Sequence, residues 1–166
     1  MRARPGQVTR TSYAIAIGSN RRGRHGTPER EVAAAIAALG RISARSRILR
    51  TAPLGPSDRR FANAVAILDS DEAPPALLRR LKAIERDFGR RRGRIWGTRV
   101  IDLDIVLWSG GAWGESRLVV PHPRFRERDF VLAPLLEVAP DWRDPVTGFS
   151  VRQLHARLTR PTPAPR

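Results

Sequence analysis

At 166 residues, with 41% hydrophobic and 28% charged residues, the chain carries enough apolar material for one domain with its own core. It has no cysteine and only three histidines (His25, His122, His155), which excludes a disulfide scaffold, thiolate zinc, an iron–sulfur cluster and a cysteine nucleophile. A formal charge of +15 points first to a phosphate-bearing partner, but Lys82 is the single lysine among 31 basic residues, an arginine bias that GC-rich coding imposes, so the placement of the arginines matters more than their number.

Residues 1–12 are basic and lack the apolar segment of a secretory signal; with Pro-rich 159–166 they read as tails around a single domain at 13–158. No apolar run approaches the roughly 18 residues of a membrane span. A soluble, cytoplasmic chain is expected. Tyr13 to Gly18 is a short apolar run entering a Gly-Ser-Asn loop, hence a buried strand. Thr27 as N-cap, Pro28 at the first helical position, and Val32, Ala35, Ile36 and Leu39 at helical spacing predict a helix that Gly40 stops.

A second strand is expected around Ser46 to Arg50, and a rigid loop over Ala52 to Arg60 with Pro53, Gly55 and Pro56. Asn63 to Leu68 predicts a third strand. Pro74 and Pro75 open a second helix with a stripe of Leu77, Leu81, Ile84 and Phe88, ended by Gly89. An arginine-rich loop then leads into Val100 to Trp108, the strongest strand pattern of the chain. The order β-α-β-β-α-β is that of an α+β, ferredoxin-like sandwich. A strand at Leu118 to Val120, a Pro-His-Pro loop and helices near Phe130 to Val138 and Val151 to Leu158 form a C-terminal extension.

Alternation puts Asp102 and Asp104 on one face of their strand, about 6–7 Å apart, with Ile101, Leu103, Ile105 and Leu107 on the other. Such a pair suits magnesium, which takes one or two carboxylates together with phosphate oxygens. It equally suits the polar outer face of a half-solvated strand. Arg90, Arg92 and Arg99 with Trp96 precede the pair, and Arg117, His122 and Arg128 follow it. Guanidinium forks match phosphate oxygens, so carboxylates beside arginines form the kit of a phosphoryl-transfer site. The chain has no Gly-x-x-x-x-Gly-Lys loop, which excludes a P-loop enzyme.

Several strings in order carry a resemblance: Ala-Ile-Gly-Ser-Asn20, Thr51-Ala-Pro-Leu-Gly55, Phe61-Ala-Asn63, Ile84-Glu85 with Gly89-Arg90, Trp96-Gly-Thr-Arg99, Asp102-Leu-Asp104, and Val120-Pro-His122 with Arg128-Asp-Phe130. From Tyr13 to Leu158 the chain resembles the 6-hydroxymethyl-7,8-dihydropterin pyrophosphokinase family. The resemblance implies a ferredoxin-like fold and transfer of the terminal diphosphate of ATP to the pterin hydroxymethyl group, leaving AMP, in folate biosynthesis. By the same match, Asp102 and Asp104 would hold two magnesium ions, with Arg90 and Arg92 as catalytic arginines of a loop that closes over ATP. Glu85, Trp96, Arg99, Ile105, Arg117, Leu118, His122 and Arg128 would complete the ATP site. Phe61 and Phe130 would sandwich the pterin ring, Asn63 would read its pyrimidine edge, and Thr51 and Leu54 would add main-chain hydrogen bonds.

The match has departures: a shorter arginine loop, Ile95 for a basic residue, Thr98 for proline, Lys82 for glutamine, Pro123 for tyrosine, and the small Ala62 beside the pterin site. They bear on loop closure and affinity, not on the reaction class. Two other readings stay open. One is a paralogue acting on another pterin-like acceptor. The other is a basic ferredoxin-like RNA-binding domain, which lacks its usual aromatic motif here and would present Asp102 and Asp104 to phosphate. The expected partners are ATP and the pterin, with no membrane and no specific nucleic acid. The chain is expected to be a monomer with a dimer open, and its length is expected to exclude a fused second folate enzyme.

Overall fold

The structure is a computed structural model that describes residues 10–51, 60–89 and 100–161. Strand β1 (Thr11–Ser19) starts two residues inside the stretch expected as a tail, because Thr11 and Ser12 pair with Ser70 and Asp69. Helix α1 (Pro28–Leu39) follows its local signals: the Thr27 side chain accepts the Arg30 N–H, Pro28 opens the helix, and Gly40 ends it at a φ of 92°.

The expected second strand is instead two short strands, β2 (Ile42–Arg45) and β3 (Leu49–Thr51). Both pair with β4 (Phe61–Ser70). Between them Ser46 is buried, and its hydroxyl oxygen accepts the Val65 N–H at 3.0 Å in place of a backbone carbonyl. That substitution interrupts the ladder without leaving a buried donor unpaired. Helix α2 (Pro74–Gly89) buries Leu77, Leu81, Glu85 and Phe88, so a carboxylate occupies the stripe where Ile84 was expected; Ile84 is only half-buried.

Strand β5 (Asp102–Trp108) completes an antiparallel sheet of order β2-β4-β1-β5, with β3 alongside β4. A separate hairpin, β6 (Trp113–Glu115) with β7 (Leu118–Val120), follows. A 3-10 turn (Phe125–Glu127) leads into α3 (Asp129–Val138) and then α4 (Val151–Leu158). Ser150 and Gln153 form a capping box at the start of α4. The architecture is α+β, an antiparallel sheet with helices on both faces.

One face of the sheet packs Tyr13, Ile15, Ile17, Ala64, Leu68, Leu103 and Ile105 against Val32, Leu39, Leu77 and Leu81 of α1 and α2. The other packs Ala14, Val65, Ile67, Val106 and Leu107 against Val131, Leu132 and Leu135 of α3 and Val151 and Leu154 of α4. Leu107 was expected beside Leu103. A bulge reverses it: Ala14 pairs with Leu107 and Ile15 with Ile105, so Val106 is the extra residue and the alternation shifts.

The second layer is tied down by Asp144, fully buried, which receives two bonds from Arg126, at 2.7 and 2.8 Å. The Val146 N–H, 3.0 Å away, and the Thr147 hydroxyl complete its set. Burial alone would raise the Asp144 pKa, but these donors hold it down at about 2.

Candidate active site

Helices α3 and α4 cover the second face only in part, and Asp102 lies exposed on it beyond Val106. Asp102 and Asp104 alternate with Leu103 and Ile105, which point into the first core, so both carboxylates lie on the second face. Asp104 is half-buried. The register then sets their neighbours. Gly18 pairs with Asp102 on one side and with Asn63 on the other, and Ala16 pairs with Asp104 and Val65. Asn63 and Asp102 therefore lie in one row across three strands, about 10 Å apart by strand spacing.

Phe61, two residues before Asn63, shares its face, and Thr51 of β3 pairs with Phe61. The Asn63 amide nitrogen donates to the Thr51 hydroxyl at 3.3 Å, and the side chain is 8% exposed. Glycine at 18 is what gives this amide room, since a β-carbon there would lie 3.0 Å from Asn63 Oδ1.

The loop after β7 closes the other side. The His122 N–H donates to the Val106 carbonyl at 2.9 Å, which seats the imidazole beside β5. Burial, the largest influence, together with the Arg128 and Arg124 guanidiniums, lowers the His122 pKa against the opposite pull of Asp104. Its Nδ1 accepts the Arg124 N–H at 3.2 Å, so the neutral ring keeps its proton on Nε2. Arg128 caps α3, and its guanidinium lies 5.7 Å from the centroid of the Phe130 ring, which is half-buried against the second core.

Thr51, Phe61, Asn63, Asp102, Asp104 and His122 are thus gathered around one stretch of the second face. Ile105 and Leu118 lie on the opposite side, 3% and 8% exposed in the first core. Arg117 is exposed in the turn between β6 and β7. Glu85 accepts the Leu103 N–H at 2.8 Å and lies 2.9 Å from Lys82 Nζ. Leu54, Arg90, Arg92, Trp96 and Arg99 lie outside the described residues.

Sequence reasoning did not single out Gly18, although it stands inside the Ala-Ile-Gly-Ser-Asn string. It also missed the β1–α1 loop. There Glu31, fully buried, accepts His25 N–H at 2.7 Å and Gly26 N–H at 3.1 Å and lies 2.8 Å from His25 Nδ1. The His25 ring packs against Phe88 at a tilt of 37°, with centroids 4.8 Å apart, and Ser19 donates to the Val100 carbonyl at 2.6 Å. This loop thereby touches residues on either side of positions 90–99. The i, i+4 spacing of Leu77, Leu81 and Glu85 is the sequence signal that could have marked Glu85 as a buried carboxylate, although the stripe was read through Ile84.

Two carboxylates on a half-solvated face are hard oxygen donors of the kind magnesium takes while keeping phosphate and water ligands. Among the described residues no three histidine, aspartate or glutamate side chains gather into a closed cage. Among the same residues no helix is long and apolar enough to cross a membrane.

Comparison with known proteins bears on the family and the fold. Residues 14–140 match the family described as 7,8-dihydro-6-hydroxymethylpterin-pyrophosphokinase. A 2-amino-4-hydroxy-6-hydroxymethyldihydropteridine pyrophosphokinase of Pseudomonas aeruginosa is 42% identical over 137 residues, covering 79% of this chain and 82% of the relative. The protein of the same name from Synechocystis is 42% identical over 105 residues, 63% of this chain and 54% of its own length. The crystal structure of Plasmodium falciparum HPPK-DHPS shares the fold, with a TM-score of 0.68 over 90% of this chain at 12% identity. The chain thus spans about half of the Synechocystis relative, and 45% of the Plasmodium chain. With the family match running over most of its length, from β1 to the end of α3, this chain belongs to the 7,8-dihydro-6-hydroxymethylpterin-pyrophosphokinase family.

Proposed function

We propose that the protein transfers diphosphate from ATP to the hydroxymethyl group of 6-hydroxymethyl-7,8-dihydropterin, releasing AMP, as a step of folate biosynthesis. The observation that carries this reading is the shared face of Asp102, Asp104, Asn63 and Phe61, with Gly18 between the amide and the carboxylates. It joins a pair of metal-binding carboxylates to an amide and an aromatic ring suited to a flat heterocycle. The hydroxymethyl oxygen attacks the β-phosphorus, the bond from that phosphorus to the α-bridging oxygen breaks, and AMP leaves with the electron pair.

Asp102 and Asp104 hold magnesium, in our reading two ions, which when bound neutralises phosphate charge and acidifies the attacking hydroxyl. The remaining residues bind and orient. Phe61 and Phe130 stack on the pterin ring, Asn63 donates to and accepts from its pyrimidine edge, and Thr51 and Leu54 add main-chain bonds. Arg90, Arg92, Trp96, Arg99, Arg117 and Arg128 engage the nucleotide and its phosphates, while Ile105 and Leu118, buried in the first core, pack under the sheet instead of against adenine. His122, neutral and protonated at Nε2, offers a hydrogen bond to a phosphate oxygen beside Asp104.

The strand order β2-β4-β1-β5 supports a ferredoxin-like description of the sheet, with the β6–β7 hairpin, α3 and α4 as the extension. We further take residues 11–158 as one catalytic domain that works as a monomer, with ATP as donor favouring the cytoplasm. Product identity tests the proposal. With ATP, magnesium and 6-hydroxymethyl-7,8-dihydropterin, chromatography should show AMP formed in step with pterin diphosphate. Formation of ADP, or turnover only with a different acceptor, would overturn it.

A further inference from the structure

We infer that Glu85 is a positioning residue for the aspartate pair, acting through the peptide that separates them and not by touching the nucleotide. The inference rests on the assignment of Asp102 and Asp104 as metal ligands. Strand β5 is at the edge of the sheet, so the N–H groups on its outer side have no neighbouring strand. The Leu103 N–H, between the two aspartates, donates in a buried bond of 2.8 Å to Glu85 Oε1.

A carboxylate in a stripe of Leu77, Leu81 and Phe88 is costly to bury unless it is hydrogen-bonded and paired. Both conditions are met, since Lys82 Nζ stands 2.9 and 3.0 Å from the two Glu85 oxygens, three residues back on the same helix. Lys82 is also the single lysine of a chain that otherwise uses arginine. A compact ammonium reaches both oxygens of a carboxylate on the following turn, whereas a planar guanidinium fork must approach in the carboxylate plane.

The consequence concerns geometry. The directions of side chains 102 and 104 are set by the peptide planes on either side of Leu103. On the inner side Leu103 pairs with Ile17, and upstream Ser19 holds the Val100 carbonyl. Glu85 is the outer restraint, and it is carried by a helix anchored in the core. Groups that orient metal ligands are typically worth about ten- to a hundredfold in metal affinity.

Two conservative variants separate this role from a nucleotide contact. Glu85→Gln keeps an oxygen acceptor at the same reach but loses the charge. Glu85→Asp keeps the charge but falls one methylene short of Leu103. Three readouts apply: hydrogen exchange of the Leu103 amide in the free protein, the magnesium concentration for half-maximal AMP formation, and the KM for ATP at saturating magnesium. For Glu85→Gln, Leu103 should stay protected and the magnesium requirement should stay within about twofold of the parent. For Glu85→Asp, Leu103 should exchange faster and the requirement should rise about tenfold or more, with KM for ATP unchanged.

The opposite ranking, or a raised KM for ATP in both variants with an unmoved magnesium requirement, would overturn the inference and make Glu85 a nucleotide contact. If Asp102→Asn and Asp104→Asn also leave the magnesium requirement unmoved, the ligand assignment itself fails and takes the inference with it.

Discussion

A β-carbon on Gly18 would sit 3.0 Å from Oδ1 of Asn63, its partner across the β1–β4 ladder. That distance is shorter than ordinary van der Waals contact, so the amide has its position only because residue 18 has no side chain. Gly18→Ala should push the Asn63 side chain by a few tenths of an ångström. The expected result is a rise in KM for the pterin of about fivefold, the worth of one weakened hydrogen bond, with KM for ATP and the melting temperature unchanged. Steady-state kinetics against each substrate checks this. An equal effect on both substrates would count against Asn63 as a pterin contact.

The carboxylates of Asp102 and Asp104 contribute nothing to either apolar core. Asp102→Asn and Asp104→Asn should therefore keep the fold, read by circular dichroism and thermal melting, and lose at least about a hundredfold in AMP formation. Activity retained in either variant would remove that residue from the metal site.

Asp144 gives the fold a specific acid sensitivity. Its pKa in the folded protein is about 2, against an ordinary value of 3.8. A depressed carboxylate pKa means that the unfolded chain binds the proton more tightly. The contribution is therefore present in full above pH 4 and is lost as the pH falls toward 2. The shift corresponds to about 2 kcal/mol. Urea midpoints should fall through this window for the parent, while Asp144→Asn should be weaker at neutral pH and flatter below pH 4. Parallel curves for the two proteins would refute the assignment.

Glu31 stabilises the β1–α1 loop by accepting two backbone N–H groups and facing His25 Nδ1 from a fully buried position. Glu31→Ala leaves those donors without their acceptor and should cost about 3 kcal/mol in urea unfolding. Glu31→Gln, which retains an oxygen toward the His25 and Gly26 amides, should cost less. Equal losses would show that charge matters there more than hydrogen bonding.

How much of this was legible in advance follows from the range of the interactions. The start and stop of α1 were readable because Thr27, Pro28 and Gly40 act on backbone groups within one turn. The shared face of Asp102 and Asp104 was readable because alternation is a property of a single strand. The reversal of Leu107 was not, since the bulge at Val106 exists only in the pairing of β5 with β1. Nor was the split between β2 and β3, where the Ser46 hydroxyl takes the N–H of a residue 19 positions away. Local strings, in order, carried the candidate site: Phe61-Ala-Asn63, Asp102-Leu-Asp104 and Val120-Pro-His122.

The chain by itself determined the β-α-β-β-α-β frame, the start and stop of α1, the aspartate face and the family, all of which rest on short-range geometry or ordered motifs. Only the tertiary structure decided which polar side chains are buried and whom they serve. Glu85 meets Leu103 across 18 residues, Arg126 meets Asp144 across 18, and Asn63 meets Gly18 across a strand ladder. A buried charge or amide is tolerated only where its partners are already in place, and those partners are set by packing that no local pattern encodes.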